Sequence, residues 1–506
     1  MDDIPAPNPG LVVLAGAGPG APDLVVPATT DWLSRADVVV YDRLINRDLL
    51  RAARADAELV YVGKSPQAHA LDQQRINDLL VKHCRGGKIV VRLKGGDPLV
   101  FGRGGEEAQA LRDAGLPYRI VPGITAAVAA GAAAGIPLTD RRCASTVTFI
   151  TGHEDPAREA SSVNWGALAG LDTLVFYMGV GNLPEIARRL IEAGRDAGTP
   201  AAVVERATRP DQRTVFATLS ALPEAAREAR VAAPAVIIVG EVAAIGERLA
   251  WTERLPLFGN TVIVTRTRTQ ASKLSRRLAE LGARVIEAPA IAIEPPEDFA
   301  AADSALGRLD AFDWVAFTSP NGVEAFVGRC AELRLDARSL GNARIAAVGP
   351  GTADALRGHF ITPDLMPGSY TTEGLGKALA EAGVGGRSVL LPRADIATAA
   401  LPQMLRQAGA EVTEATVYRT VRPAALPGDA AEALQAGRTH WITFTSSSTV
   451  TNFLALAGET DLSDVKLAAI GPVTADTLRA AGLTPTVTAD PCTIEALVAA
   501  IVAFEQ

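Results

Sequence analysis

A chain of 506 residues with 48% hydrophobic and 21% charged side chains is too long for one ordinary core and too apolar for a disordered or fibrous protein, so two or three soluble domains are expected. A net charge of −8 argues against non-specific attachment to nucleic acid or to an acidic membrane, and an anionic ligand would have to be met by local arginines. The four cysteines (Cys84, Cys143, Cys330, Cys492) form no CxxC pair and the five histidines show no ligand spacing beside them, which suits a reducing cytoplasm and predicts no metal site.

The opening MDDIPAPNPG has no basic or apolar signal-like region, and residues 1–9 read as a short disordered lead. From there to about residue 250, strand-like runs at 11–15, 38–41, 89–93, 146–151, 173–177, 201–205 and 235–240 alternate with helix-like segments such as 106–115 and 183–194, each closed by a glycine. This is an α/β pattern. The uncharged stretch 120–138, IVPGITAAVAAGAAAGIPL, is rich in alanine and glycine and bounded by prolines, which predicts a packed internal helix rather than a membrane span.

Several segments of this half have the character of a site. Gly16-Ala17-Gly18-Pro19-Gly20 follows a strand, but Pro19 and Pro22 oppose the helix start that a dinucleotide fingerprint needs; a tight turn against a small cofactor and an ordinary loop remain equal alternatives. Asp42 and Lys64 stand where parallel strands give out, which suits a site, although a helix cap and a solvated loop charge are the plainer alternatives. The run 91–107, VRLKGGDPLVFGRGGEE, gathers glycine turns, a carboxylate and cations. Gly95 and Gly96 would let backbone approach a ligand, Asp97 could accept its hydrogen bonds, and Arg103 could reach a carboxylate. Glu106 and Glu107 read as negative charges in the first turn of a helix.

The segment WTERLPLFGN at 251–260 breaks the periodicity, so the domains are set at 10–250 and 258–506, with 251–257 as linker. Beyond it the sequence repeats itself. WVAFTSPNGVEAF at Trp314 returns 127 positions on as WITFTSSSTVTNF at Trp441, and IAAVGPGTADAL at Ile345 returns 122 positions on as LAAIGPVTADTL at Leu467. TVIVTR and SVLLPR, ending at Arg266 and Arg393, are again 127 apart. Two like-sized α/β domains, with a ligand cleft between them, are expected.

The GAGPG and GGDPLVFGRGGEE runs, with Asp42 and Lys64, resemble the signature of the tetrapyrrole methylases, and among them the uroporphyrinogen-III C-methyltransferases. The TR, FTSxNG, GPxTA and VYRT units resemble the uroporphyrinogen-III synthases over nearly all of 258–506. The resemblance implies a two-subdomain methylase fold followed by duplicated α/β domains with a double crossover, one formed by 258–294 plus 424–506 and the other by 297–420. It implies S-adenosyl-L-methionine as cofactor, hydroxymethylbilane and uroporphyrinogen III as substrates, and precorrin-2 as product. It further implies a cytoplasmic homodimer, joined through the methylase domain, that binds neither nucleic acid nor membrane. Asp42 matches a proton acceptor and Lys64 a proton donor, while Pro19, Gly95, Gly96, Asp97, Val100, Thr125, Ala126, Met178 and Ala207 match cofactor contacts. Without the resemblance, Met178 would read as core and Thr125 as a helix cap.

In the second half no strong acid, base or nucleophile stands out, which suits an enzyme that folds a linear tetrapyrrole and directs its closure. Arg266, Arg393 and Arg419 are candidate carboxylate partners, and Thr318, Ser319, Tyr418, Thr445, Ser446, Gly471 and Thr474 candidate cleft groups. Surface arginines and satisfied strand-end hydroxyls are the plainer alternatives. A related corrin methylase, or a second half that only binds a small molecule, are the rival functions. No basic helix of the kind a DNA-binding sensor would carry is visible.

Overall fold

The computed structural model describes residues 10–63, 73–153, 163–266 and 268–506; the lead 1–9 and Lys64 lie outside them. The chain folds as two compact units, the first running to Asn260 and taking in Leu278–Arg284 and Glu505–Gln506, the second made of Thr261–Arg277 and Val285–Phe504. Residues 251–257, read from sequence as a linker, are anchored within the first unit. Trp251 Nε1 donates to Ala132 O (2.9 Å), Thr252 Oγ1 donates to Ala133 O (2.7 Å), and Leu257 is fully buried.

The first unit opens with β1 (Leu11–Gly16), β2 (Val38–Tyr41), β3 (Glu58–Tyr61), β4 (Ile89–Lys94) and β5 (Tyr118–Val121), which form one parallel sheet in the order β3-β2-β4-β1-β5. The central strands are apolar almost throughout, as a sheet covered on both faces requires. A second sheet follows from β6 (Val147–Thr151), β7 (Thr173–Tyr177), β8 (Pro200–Glu205), β9 (Arg213–Thr218) and β10 (Ala235–Val239), in the order β6-β7-β10-β8-β9. It is mixed, since β6 runs parallel to β7 while β10 runs antiparallel to both neighbours and β9 antiparallel to β8.

Between the sheets lies the alanine-rich helix Ala126–Ala134, ended by Gly135 in the left-handed conformation (φ 72°). Its small side chains let it pack closely with Val175, Tyr177, Ala202, Val204 and Ile238 of the second sheet. The internal helix read from 120–138 is therefore present, preceded by an edge strand, β5, that the sequence reading did not separate from it.

The second unit contains β11 (Thr261–Val264), β12 (Arg284–Glu287), β13 (Ala292–Glu294), β14 (Trp314–Phe317), β15 (Arg344–Ala347), β16 (Ser388–Ala394), β17 (Glu411–Val421), β18 (Trp441–Phe444), β19 (Lys466–Ala469) and β20 (Val487–Thr488). They form two sheets, β12-β11-β18-β19-β20 and β13-β17-β16-β14-β15. The duplicated units exchange partners: the TVIVTR strand β11 pairs with β18 of the second repeat, and the SVLLPR strand β16 pairs with β14 of the first. The chain thus crosses between the sheets after β12 and again after β17. Each sheet has its own core, around Phe317 and Phe326 in one and Phe444 and Phe453 in the other.

At the carboxyl end of the first sheet three loops meet backbone to backbone. Gly96 N donates to Gly18 O (2.7 Å) and Gly18 N to Gly96 O (3.3 Å), while Asp97 Oδ2 accepts from Gly123 N (3.0 Å). A Cβ on Gly123 would stand 2.1 Å from Gly96 O and 2.8 Å from Gly16 Cα. Neither obstacle is a side chain that could swing aside. Gly123→Ala is therefore expected to destabilise the first unit by at least about 1–3 kcal/mol, the scale of overpacking in a tight core. Hydrogen exchange in denaturant, read at β1 and at β14, should show lost protection in β1 alone; equal protection of β1 in variant and parent would refute it.

Candidate active sites

The first site assembles where those loops end. Pro19 sits partly exposed in the first loop, next to Gly20, whose carbonyl accepts from Asn46 Nδ2 (3.0 Å). Ala21 N donates to Thr208 Oγ1 of the second sheet's β8–β9 turn (3.2 Å), so this loop ties the two sheets together. Gly96 is in the left-handed region (φ 66°), and a Cβ on Gly95 would press on Leu44 at 3.0 Å. Gly96 is thus favoured by its backbone conformation and Gly95 by its packing, independently of any ligand approach. Asp97 is held by Leu99 N (2.8 Å) and Gly123 N (3.0 Å), so each of its oxygens already serves the loop backbone.

Tyr177, at the end of β7, is the joint between the sheets. Its hydroxyl accepts from Ala127 N (2.9 Å) and shares a hydrogen bond with Thr125 Oγ1 (2.7 Å). Burial pushes this phenol above its usual range, against the pull of those two bonds. Thr125 stands at the helix N-cap position without capping through its side chain. Val100, Ala126 and Ala207 pack on the same apolar cluster as Tyr177, and the Phe101 ring lies 4.9 Å from that of Tyr177.

Met178, the next residue, is 55% exposed, so the core role its sequence suggested is wrong. It is left-handed (φ 56°), as are Phe101 (φ 53°), Arg103 (φ 57°), Arg206 (φ 47°) and Thr208 (φ 69°) around the same cleft. Such conformations collect at functional sites because surrounding structure has to hold them.

Asp42 follows β2 and does not cap the next helical turn; Asn46 does, accepting from Asp48 N (2.9 Å). Asp42 Oδ1 accepts from Leu44 N (3.0 Å), and Asp42, Arg43, Leu44 and Gly63 line a cavity of about 440 Å³. Arg103 is exposed and forked on Glu106 (2.8 and 2.7 Å), which holds Glu106 below the usual carboxylate range and is worth little in water.

Glu107 lies in the first turn of the helix Gly104–Asp113, as read from the sequence, but it is fully buried there, with Arg92 Nε (3.1 Å), Lys94 Nζ (2.8 Å) and Gln73 Nε2 (3.3 Å) all donating to its Oε1. Its Oε2 has no partner among the described residues, a vacancy that costs about 1–3 kcal/mol in a buried carboxylate. Burial, and then the Arg92 cation, pull the Lys94 ammonium below its usual range, against Glu107 and Asp42. A signal was available: Arg92 and Lys94 are two apart in an apolar strand, so both cations face one side and require an anion there.

In the second unit, Ile291, Thr318, Ser319, Asn321, Thr372, Arg393, Ile396, Thr398, Tyr418, Thr420 and Ser448 are among the groups lining a cavity of about 380 Å³. Ser319 caps the helix Pro320–Glu332 through Gly322 N (3.0 Å) and meets Tyr418 OH at 3.0 Å. A register shift between β16 and β17 brings Tyr418 opposite Ala394 and leaves consecutive residues Val417 and Tyr418 both buried. Burial pushes the Tyr418 phenol up.

The other expected cleft groups are not brought to this cavity. Ser446 caps the helix Ser447–Ala457 in a capping box with Thr449, with Thr445 just before it; Gly471 begins the helix Pro472–Ala480; and Thr474 is buried inside that helix. Arg266 follows β11, and burial pulls its guanidinium down. Arg393 donates to Glu414 Oε2 (2.5 Å) and Thr398 O (2.5 Å), and Arg419 pairs with Glu297 (2.6 Å) and Glu294 (3.3 Å). The sequence reading missed Asn321, Thr372, Thr398, Thr420 and Ser448. Polar residues at helix starts and in loops are too common to single out without the cavity.

Two family models match: "Tetrapyrrole (Corrin/Porphyrin) Methylases" over residues 11–223 and "Uroporphyrinogen-III synthase HemD" over 272–499. A protein of Ruminiclostridium josui named "Porphyrin biosynthesis protein HemD" is 36% identical over 97% of this chain and 97% of its own length. The "Uroporphyrinogen-III C-methyltransferase" of Bacillus subtilis is 46% identical over 48% of this chain and 95% of its own. A solved uroporphyrin-III C-methyltransferase from Thermus thermophilus, complexed with S-adenosyl homocysteine, is 41% identical and covers 47% of this chain and 100% of its own, with a TM-score of 0.41.

Tyr177→Phe leaves the Ala127 amide without its acceptor, so the first unit should lose about 1–3 kcal/mol, the cost of an unmet buried group. Hydrogen exchange should show the Ala127 amide losing protection first; unchanged protection would mean that Tyr177 does not hold this helix.

Proposed function

We propose, for a chain that belongs to the tetrapyrrole methylases in its first half and to the uroporphyrinogen-III synthases in its second, that the Asp42 cavity is where methylation is completed and the Tyr418 cavity where ring closure is directed. The chain is a bifunctional enzyme of tetrapyrrole biosynthesis. It cyclises hydroxymethylbilane to uroporphyrinogen III and methylates that product twice, using S-adenosyl-L-methionine, to give precorrin-2. The relation to a full-length porphyrin biosynthesis protein carries this conclusion, because one relative spans both halves.

The residues of the first cleft fit the cofactor. Met178 and Phe101 expose apolar surface beside Val100, Ala126 and Ala207, and Gly95, Gly96, Asp97, Pro19 and Thr125 present backbone and polar groups around it. When bound, S-adenosyl-L-methionine supplies an electrophilic methyl group. Carbon methylation leaves the attacked pyrrole system cationic until a proton is lost, and Asp42, open to the cavity at one edge and fixed by Leu44 N, is placed to accept it. Lys64 remains the candidate proton donor and lies outside the described residues. Arg103 can exchange its exposed Glu106 for a substrate carboxylate at little cost.

In the second unit Ser319 and Tyr418 offer hydroxyls, and Thr318 and Arg393 are also in the lining, so this cavity would hold and bend the linear substrate rather than attack it. Arg266, Arg419, Thr445, Ser446, Gly471 and Thr474 keep a weaker claim, as groups outside the cavity lining. No helix among the described residues is long and apolar enough to cross a membrane. A cytoplasmic homodimer through the first unit completes the reading.

The decisive experiment gives the purified protein hydroxymethylbilane with and without S-adenosyl-L-methionine and identifies the products by absorbance and mass. Uroporphyrinogen III without the cofactor and precorrin-2 with it are expected; uroporphyrinogen I alone in both would defeat the synthase reading. Asp42→Asn should lower methylation about 100-fold or more, within the range for removing a general base, and leave ring closure intact. Tyr418→Phe should do the reverse, slowing closure about tenfold, the scale of one lost hydrogen bond.

A further inference from the structure

Arg92 is held from three directions. Its Nε donates to Glu107 Oε1 (3.1 Å), and its Nη1 faces the carbonyls of Leu93 (3.2 Å) and Val40 (3.4 Å). With the guanidinium plane fixed in this way, Nη2 is directed at Asp42 Oδ2, 3.5 Å away. The strand register sets up this approach, since Val40 pairs with Arg92 and Tyr41 with Leu93, which leaves Asp42 one residue beyond the paired segment.

Asp42 is consequently steered at both oxygens, Oδ1 by Leu44 N and Oδ2 by Arg92, while 28% of its side chain remains open. Arg92 could not occupy this place unaided, because Lys94 projects on the same face and the two buried cations repel. The Glu107 carboxylate sits against both, accepting on Oε1 alone and leaving Oε2 without a donor among the described residues. A carboxylate serving only to neutralise two cations could share them between its oxygens. Here the convergence on one oxygen fixes the direction of Arg92.

We propose that Glu107 is a positioning residue for the methylation site, acting through Arg92 to hold Asp42 in the orientation that accepts the substrate's proton. This rests on the reading of Asp42 as the proton acceptor. Arg92 is the intermediate member, and Lys94 and Gln73 are the other donors to Glu107 Oε1. None of the three needs to touch substrate or cofactor.

The test uses the full chain with Glu107→Gln, Arg92→Lys and the double variant. Three quantities are measured: kcat and KM for uroporphyrinogen III in methylation, the Kd of S-adenosylhomocysteine, and ring closure. Each single variant should lower kcat about 10- to 100-fold, the scale of one charge-assisted hydrogen bond, with KM and Kd within about twofold of the parent. Residues acting as one unit are non-additive, so the double variant should be no slower than the worse single variant. Additive losses, or loss of S-adenosylhomocysteine affinity in step with kcat, would assign the cluster a structural role and overturn the proposal. If Glu107→Gln does not fold, Arg92→Lys, which keeps the charge, carries the same comparison. An unchanged kcat in both singles while Asp42→Asn is inactive overturns the positioning role alone, whereas full activity in Asp42→Asn overturns the reading of Asp42 itself.

Discussion

The contact on which the first unit depends is the meeting of three loop backbones at Gly16, Gly96 and Gly123. These loops leave three adjacent strands of a parallel sheet at their carboxyl ends, where side chains from neighbouring strands would ordinarily keep them apart. The missing Cβ of Gly16 and of Gly123 allows contact at backbone distance, Gly96 contributes a left-handed turn (φ 66°), and the reciprocal bonds of Gly18 and Gly96 together with the Asp97 carboxylate on Gly123 hold it. Once this junction is set, the direction of the following chain is set too. The loop after Gly96 carries Val100 and Phe101 to Tyr177, and the loop after Gly123 delivers Thr125 and Ala127 to the Tyr177 hydroxyl.

The second sheet is joined to this junction by hydrogen bonds as well as by apolar contact. Tyr177 and Thr208 reach across from it to the helix start and to the first loop. Phe101, Met178, Arg206 and Thr208, in these loops and strand ends, all have left-handed backbone, a sparsely populated conformation for residues other than glycine. The cleft is therefore largely preformed, and exposed apolar side chains such as Met178 are held ready instead of collapsing into the core.

Much of this was legible in the sequence, for identifiable reasons. Strand positions followed from short apolar runs bounded by glycine, and the duplication in the second unit from the 127-residue spacing, whereas the exchange of strands between its repeats was implied only by the family resemblance. Asp42 was legible as a strand-end carboxylate. Glu107 was not, because a glutamate in a helix's first turn is favourable on the surface and looks complete there. Its burial depends on β4 presenting two cations to the helix Gly104–Asp113, a relation between elements that local periodicity does not contain. For Met178 the residue alone suggested core and the resemblance a cofactor contact; it is exposed with a positive φ, neither of which leaves a compositional mark.

The second unit shows why charge in a sequence is a poor guide to a site for a polyanion. Arg393 and Arg419 looked like carboxylate receptors, yet each is already taken, Arg393 by Glu414 and the Thr398 carbonyl and Arg419 by Glu294 and Glu297. A substrate carboxylate would have to displace a carboxylate of equal charge, so the gain is the small difference between two similar ion pairs. At Arg393, which is buried, the displaced Glu414 retains Arg406 as partner, whereas the buried Arg393 cannot be left unpaired without cost. Arg419 is more open and its partners are exposed, so exchange there is cheaper. The hydroxyls of Ser319 and Tyr418 need no displacement, since a hydroxyl can donate and accept at once. Of these two arginines Arg393 alone lines the cavity, where Glu414 and the Thr398 carbonyl tie it to the wall, while the Ser319 and Tyr418 hydroxyls keep bonding capacity of their own.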